Sequence, residues 1–124
     1  MVGVSGTPVI DGTIDDAWKS APPITTRRLV AERSILKFEQ SSTSRVRCLW
    51  DDKQLYFLAE VRDAKISTTA GSPWEQDSVE FFLDENKSRA ASFEADDGQY
   101  RISATGNVTY GAAGPTNNLS LIHI

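Results

Sequence analysis

Apolar and polar residues alternate over short runs along most of the chain, and Gly, Pro, Asp and Asn bound those runs, the pattern of half-buried strands. Residues 7–10 read as a first strand, followed by a turn at Asp11-Gly12. Residues 14–20 suit one helical turn around Trp18, which Pro22-Pro23 stops. A second strand is expected over residues 24–30. In residues 43–50, Val46, Cys48 and Trp50 share one face and Arg45, Arg47 and Leu49 the other, and Asp51-Asp52-Lys53 makes a hairpin turn. The return strand is 54–62. Leu55, Phe57, Ala59 and Val61 line one side of it and Tyr56, Leu58, Glu60 and Arg62 the opposite side, so one side packs inward.

A polar loop over 63–73 leads into Trp74-Glu75-Gln76-Asp77 and a strand over 78–84, with Val79, Phe81 and Leu83 facing the core and Ser78, Glu80, Phe82 and Asp84 facing away. After a second polar loop, Asp96-Asp97-Gly98 turns into a strand over 99–104, with Tyr100 and Ile102 inward and Gln99, Arg101 and Ser103 outward. Gly106-Asn107 then closes a hairpin to Val108-Thr109-Tyr110. Short strands at this spacing, joined by turn residues, predict an all-β chain, an antiparallel β-sandwich of jelly-roll or immunoglobulin-like type.

Composition narrows the chemistry. The 124 residues carry 13 Lys plus Arg against 17 Asp plus Glu, hence 13 − 17 = −4, with 40% hydrophobic and 24% charged residues. The length fits one domain, two at most; the composition is that of a soluble globular domain and, with no basic run, argues against nucleic acid or anionic lipid as a partner. No apolar stretch is long enough to span a membrane. The N-terminus has no basic segment followed by an apolar one, so the chain reads as cytosolic or as an excerpt from a longer protein. The single cysteine, Cys48, and single histidine, His123, exclude an internal disulfide framework and multi-cysteine metal sites. Calcium is the metal the composition suits, because hard cations take carboxylate and carbonyl oxygens. Asp96 and Asp97 before Gly98 are candidate ligands, as are Asp84, Glu85 and Asn86; solvated turn carboxylates are the alternative reading of each cluster.

Trp74 stands at a loop's end, beside Pro73 and just before a strand. Two readings are open. It caps one end of the core, or it is a stacking platform whose flat indole matches the apolar C–H face of a pyranose, a ring worth roughly 150–250 Å² of buried surface. Glu80 and Arg101 project from the outer faces of their strands, so a fold that neighbours those strands brings them to one surface. There they form either a plain surface ion pair or a carboxylate and guanidinium suited to adjacent sugar hydroxyls.

Five blocks then stand in order: Gly6-Thr7-Pro8-Val9-Ile10-Asp11-Gly12 with Asp15 and Trp18; Val46 to Asp51; Leu55-Tyr56; Trp74-Glu75-Gln76-Asp77-Ser78-Val79-Glu80; and Gln99-Tyr100-Arg101. Together, over residues 6–115, they resemble family 9 carbohydrate-binding modules, β-sandwich domains appended to secreted xylanases and related enzymes. The resemblance implies that Trp74 forms one side of an aromatic clamp around the sugar at a glycan's reducing end, and that Glu80 and Arg101 hydrogen-bond that sugar. It further implies a non-catalytic module that targets a covalently linked glycoside hydrolase to plant polysaccharide, xylan or cellulose, in an extracellular setting, with structural calcium. The family's second clamp tryptophan belongs to a C-terminal part beyond the matched blocks.

Residues 119–124, Leu-Ser-Leu-Ile-His-Ile, read as the translation of a transposon end used in sequencing libraries. The expectation is a truncated module over 1–118 with a non-native tail over 119–124 and a sandwich incomplete at its C-terminus; a genuine strand is the alternative. A glycoside hydrolase is the alternative function, with Asp77 and Glu80 the tempting carboxylates, but an offset of three along a strand sends them to opposite faces. A haem-binding sandwich would have to draw its axial ligands from Met1, His123 or Cys48.

Overall fold

Strand pairing around one long hairpin organises the first half of the chain. The structure, a computed structural model, describes residues 2–26 and 42–112. The chain divides into two compact units, Met1–Lys65 and Ile66–Ile124. The expected strand residues 27–30 and the expected tail 119–124 lie outside the described residues.

In the first unit, β3 (Thr43–Trp50) and β4 (Leu55–Arg62) pair antiparallel along their whole length, from Thr43↔Arg62 to Trp50↔Leu55. The other edge of β3 carries two short strands, β1 (Val4–Ser5) in parallel near its end and β2 (Ile24–Thr25) antiparallel near its middle. This sheet is therefore mixed, a departure from the all-antiparallel expectation. The first strand lies at 4–5 and not at 7–10. Pro8 has no N–H to give a ladder, and the N–H of Val9 goes to the Asp15 carboxylate at 2.7 Å, so this segment is committed to a loop. Asp15 also caps the 3₁₀ turn Asp16–Ser20 by accepting from the Ala17 N–H at 3.0 Å.

That turn seats Trp18, which with Ala21, Leu49 and Leu58 makes the buried apolar cluster of this unit, flanked by Val4, Ala17 and Tyr56. Leu49 and Leu58 thus lie on the side of the hairpin shared with Tyr56, and it is this side that Trp18 covers. Alternation alone did not choose it, because both faces of β4 are rich in apolar side chains. The Asp51 carboxylate closes the hairpin: Oδ1 accepts from the N–H groups of Lys53 and Gln54, and Oδ2 from the hydroxyls of Thr7 and Tyr56 at 3.0 and 2.7 Å.

In the second unit, β5 (Ser78–Asp84), β6 (Asp97–Ser103) and β7 (Val108–Ala112) form an antiparallel sheet with β6 in the middle. The registers include Glu80↔Arg101, Phe82↔Gln99 and Arg101↔Thr109. Gly106, at φ 83, takes the left-handed conformation in the β6–β7 turn, and its N–H bonds the Ser103 carbonyl at 2.9 Å.

Candidate functional site

Register places the polar cluster of the second unit. Glu80 and Arg101 are direct cross-strand partners, so their side chains leave the sheet on the same face. Arg101 Nε donates to Glu80 Oε1 at 2.6 Å, and Gln99, two residues earlier on that face, donates from Nε2 to Glu80 Oε2 at 2.9 Å. Arg101 also donates to Thr109 Oγ1 at 3.3 Å, across the other β6 neighbour. Four side chains from three strands therefore make one connected network. Burial alone would raise the pKa of Glu80, but the hydrogen bonds from Gln99 and Arg101, with the Arg101 charge, outweigh it and hold the carboxyl below its ordinary value.

The structure thus joins Glu80 and Arg101 as their spacing predicted, with one correction. Arg101 and Ser103, expected to point outward, are buried. Arg101 lies on the face opposite Tyr100, but its own guanidinium is largely covered by Glu80, Gln99 and Thr109.

Gln99, Thr109 and Gly111 were not singled out from the sequence. Gly111 is the cross-strand partner of Gln99, and a Cβ there would lie 2.1 Å from Gln99 Oε1. Glycine at this position makes room for the amide that holds Glu80. With the last strand expected to end at Tyr110, Gly111 fell outside it; β7 runs on to Ala112, and a glycine inside a strand marks close approach.

A separate piece of chain positions Trp74. It lies in the 3₁₀ turn Pro73–Glu75, entered through Ser72 with proline in the first turn, and is 68% exposed. The loop around it is tied down at several points. Ser67 N–H donates to Asp77 Oδ2 at 2.6 Å, the Asp77 N–H bonds the Ser67 carbonyl at 2.8 Å, and Gln76 Nε2 reaches the Ala70 carbonyl at 2.6 Å. The Ala104 N–H then bonds the Asp77 carbonyl at 2.9 Å, fixing the loop to the end of β6. Trp74 is therefore no cap buried in a core; it is a large apolar ring held out in solvent by an ordered loop.

The carboxylates considered for hydrolysis are engaged otherwise, Asp77 with Ser67 and Glu80 with Gln99 and Arg101. Cys48 is buried in the first unit, where burial pushes its thiol up, and Met1 and His123 lie outside the described residues. Of the calcium candidates, Asp84 accepts from the N–H groups of Ser88 and Arg89, and Asn86 Oδ1 from that of Ser88. Asp97 is buried. Its Oδ2 accepts from the Glu94 N–H at 2.7 Å, and its Oδ1 has no hydrogen-bond partner, which is the kind of oxygen a hard cation would satisfy. Among the described residues no three His, Cys, Asp or Glu side chains converge as a ready-made cage.

The family described as "Carbohydrate family 9 binding domain-like" matches residues 10–120. The chain is 41% identical over 115 residues to exoglucanase XynX of Acetivibrio thermocellus, a match covering 93% of this chain and 10% of that protein. It is 44% identical over 106 residues to endo-1,4-beta-xylanase A of Thermotoga neapolitana, covering 86% and 10%. Two solved structures of a family 9 carbohydrate-binding module from Caldicellulosiruptor kristjanssonii, one in complex with cellotriose and one with glucose, are each 37% identical to it, with TM-scores of 0.76 and 0.77. Each match covers 89% of this chain, and 53% and 54% of the solved chains. The chain thus spans about half of those solved chains and about a tenth of the curated enzymes. It belongs to carbohydrate-binding family 9: an all-β domain of the β-sandwich class whose role is to bind carbohydrate and not to catalyse.

Proposed function

We propose that this family 9 domain captures the reducing end of a β-glucan or xylan chain through Trp74, Glu80 and Arg101, and thereby holds an appended glycoside hydrolase of xylanase type on plant polysaccharide outside the cell. The observation that carries this reading is the exposure of Trp74 on a tethered loop in the same unit as the Glu80–Arg101 network. An indole offered to water at 68% exposure leaves an apolar face for a pyranose ring. An ionised carboxylate whose oxygens are already oriented supplies directional acceptors, and the guanidinium, with five donors in a planar fork, holds that carboxylate while retaining donors for hydroxyls.

The relatives support the rest. One solved relative is described with cellotriose and with glucose, which favours a glucan, and the curated relatives are xylan- and glucan-degrading enzymes by name. The domain division into a truncated module over 1–118 and a tail over 119–124 belongs to the same proposal. So does a structural calcium at Asp97, on the strength of its unpartnered buried oxygen.

The test is calorimetry of the 124-residue chain with cellotriose before and after borohydride reduction, which opens the terminal ring to an alditol. Binding of the native sugar and loss of the reduced one is expected; equal binding of both removes the reducing-end assignment. Thermal melts of the same preparation with calcium or chelator should differ for the parent and coincide for Asp97→Asn. Coincident melts in the parent remove the ion.

A further inference from the structure

The geometry points to a second stacking platform, Phe82 with Phe93, beside the Glu80 network, which takes the next glycosyl ring of a bound β-glucan chain. This rests on the reading of Trp74, Glu80 and Arg101 as sugar ligands. Phe82 follows Glu80 by two residues on β5, so the two side chains leave the same face of the sheet about 7 Å apart along the strand. The cross-strand partner of Phe82 is Gln99, the residue that donates to Glu80 Oε2. Phe82 is thus the apolar border of the polar network.

Phe93 comes from the loop between β5 and β6 and lays its ring against that of Phe82, with centroids 6.1 Å apart and planes 23° from parallel. The next residue anchors it, because the Glu94 N–H is held by Asp97 at 2.7 Å. Although in contact with each other, Phe82 and Phe93 stay 57% and 56% exposed. Two nearly parallel rings already in contact present flat apolar surface, and what is arranged before binding need not be ordered by it.

Size selects the occupant. Two half-exposed phenyl rings offer at most a few hundred Å², well below the roughly 800 Å² per partner that a stable protein–protein contact buries. A sugar ring, with an apolar C–H face and hydroxyls at its rim for the adjacent Glu80 and Gln99, matches both the area and the polarity.

The experiment measures binding of glucose and of cellotriose to the 124-residue chain and to Phe93→Ala by calorimetry, with thermal melts and light scattering on both. Glucose affinity should stay within about twofold and cellotriose affinity should fall about fivefold or more. Phe93→Trp, which keeps an aromatic face, should hold cellotriose at least as well as the parent. The platform is overturned if Phe93→Ala leaves the ratio of the two affinities unchanged in a folded protein, if Phe93→Trp weakens cellotriose as much as Ala does, or if Phe93→Ala dissociates a dimer seen in the parent. Failure of the parent to bind either sugar overturns the sugar-binding reading itself and the platform with it. A parent that binds both with an unchanged ratio in the variant removes the platform alone.

Discussion

Arg101 is a charged side chain that the sheet buries and pays for with hydrogen bonds. Its Nε–H meets Glu80 and a terminal N–H meets Thr109, so the charge is compensated and the fork is oriented before a ligand arrives. Gln99 completes the arrangement from the next outward position of β6. Its amide occupies space that any side chain at 111 would claim, since a Cβ there would sit 2.1 Å from Oε1. Gly111→Ala should therefore displace Gln99, remove its bond to Glu80 and weaken sugar binding by about 1 kcal/mol, or roughly fivefold. The chain should still melt cooperatively, because the atom that must move is the end of a flexible side chain. Unchanged calorimetric affinity in Gly111→Ala would show that Gln99 does not set the Glu80 carboxylate.

At the scale of elements, the hairpin β3–β4 depends on one turn carboxylate. Asp51 is held down to about 2, first by the Tyr56 hydroxyl and then by the Lys53 N–H, with Thr7 and Gln54 adding to the effect. Its folded value lies below the ordinary one, so the contribution to stability is present above the ordinary carboxylate range and is lost as pH falls from about 4 towards about 2. Asp63 and Glu80 shift in the same direction. In Asp51→Asn the melting temperature should be lower near neutrality and should fall less than that of the parent across this window. Parallel curves for the two proteins would show that the carboxylate is not the acid-sensitive group of the turn. The strands around this turn were legible in the sequence because alternation and Asp-rich punctuation coincide, and β3 and β5 have the predicted bounds. The first strand was not, because Thr7 to Ile10 has strand-like composition but spends the Val9 N–H on Asp15. The choice of covered face was not legible either: it depends on where Trp18 lands, a tertiary fact that alternation along β4 does not contain.

At the scale of the molecule, every residue assigned to sugar comes from the second unit, while the first contributes the Trp18 cluster and the Asp51 turn. Residue types and spacing brought out Trp74, Glu80 and Arg101, because an indole at a loop end and a charged pair on facing strands carry recognisable chemistry. Gln99, Gly111, Phe82 and Phe93 needed register and contact, since each acts only through a neighbour across the sheet. Stacking on Trp74 is the claim on which the functional reading depends most directly. Calorimetric titration of the 124-residue chain and of Trp74→Ala with cellotriose tests it, because the exposed indole can be removed without disturbing the bonds that tie down its loop. Losing one stacking face costs ~1.5–3 kcal/mol, so the account predicts a Kd weaker by about tenfold to a hundredfold in a variant that melts like the parent. A Kd for Trp74→Ala within twofold of the parent's would contradict it.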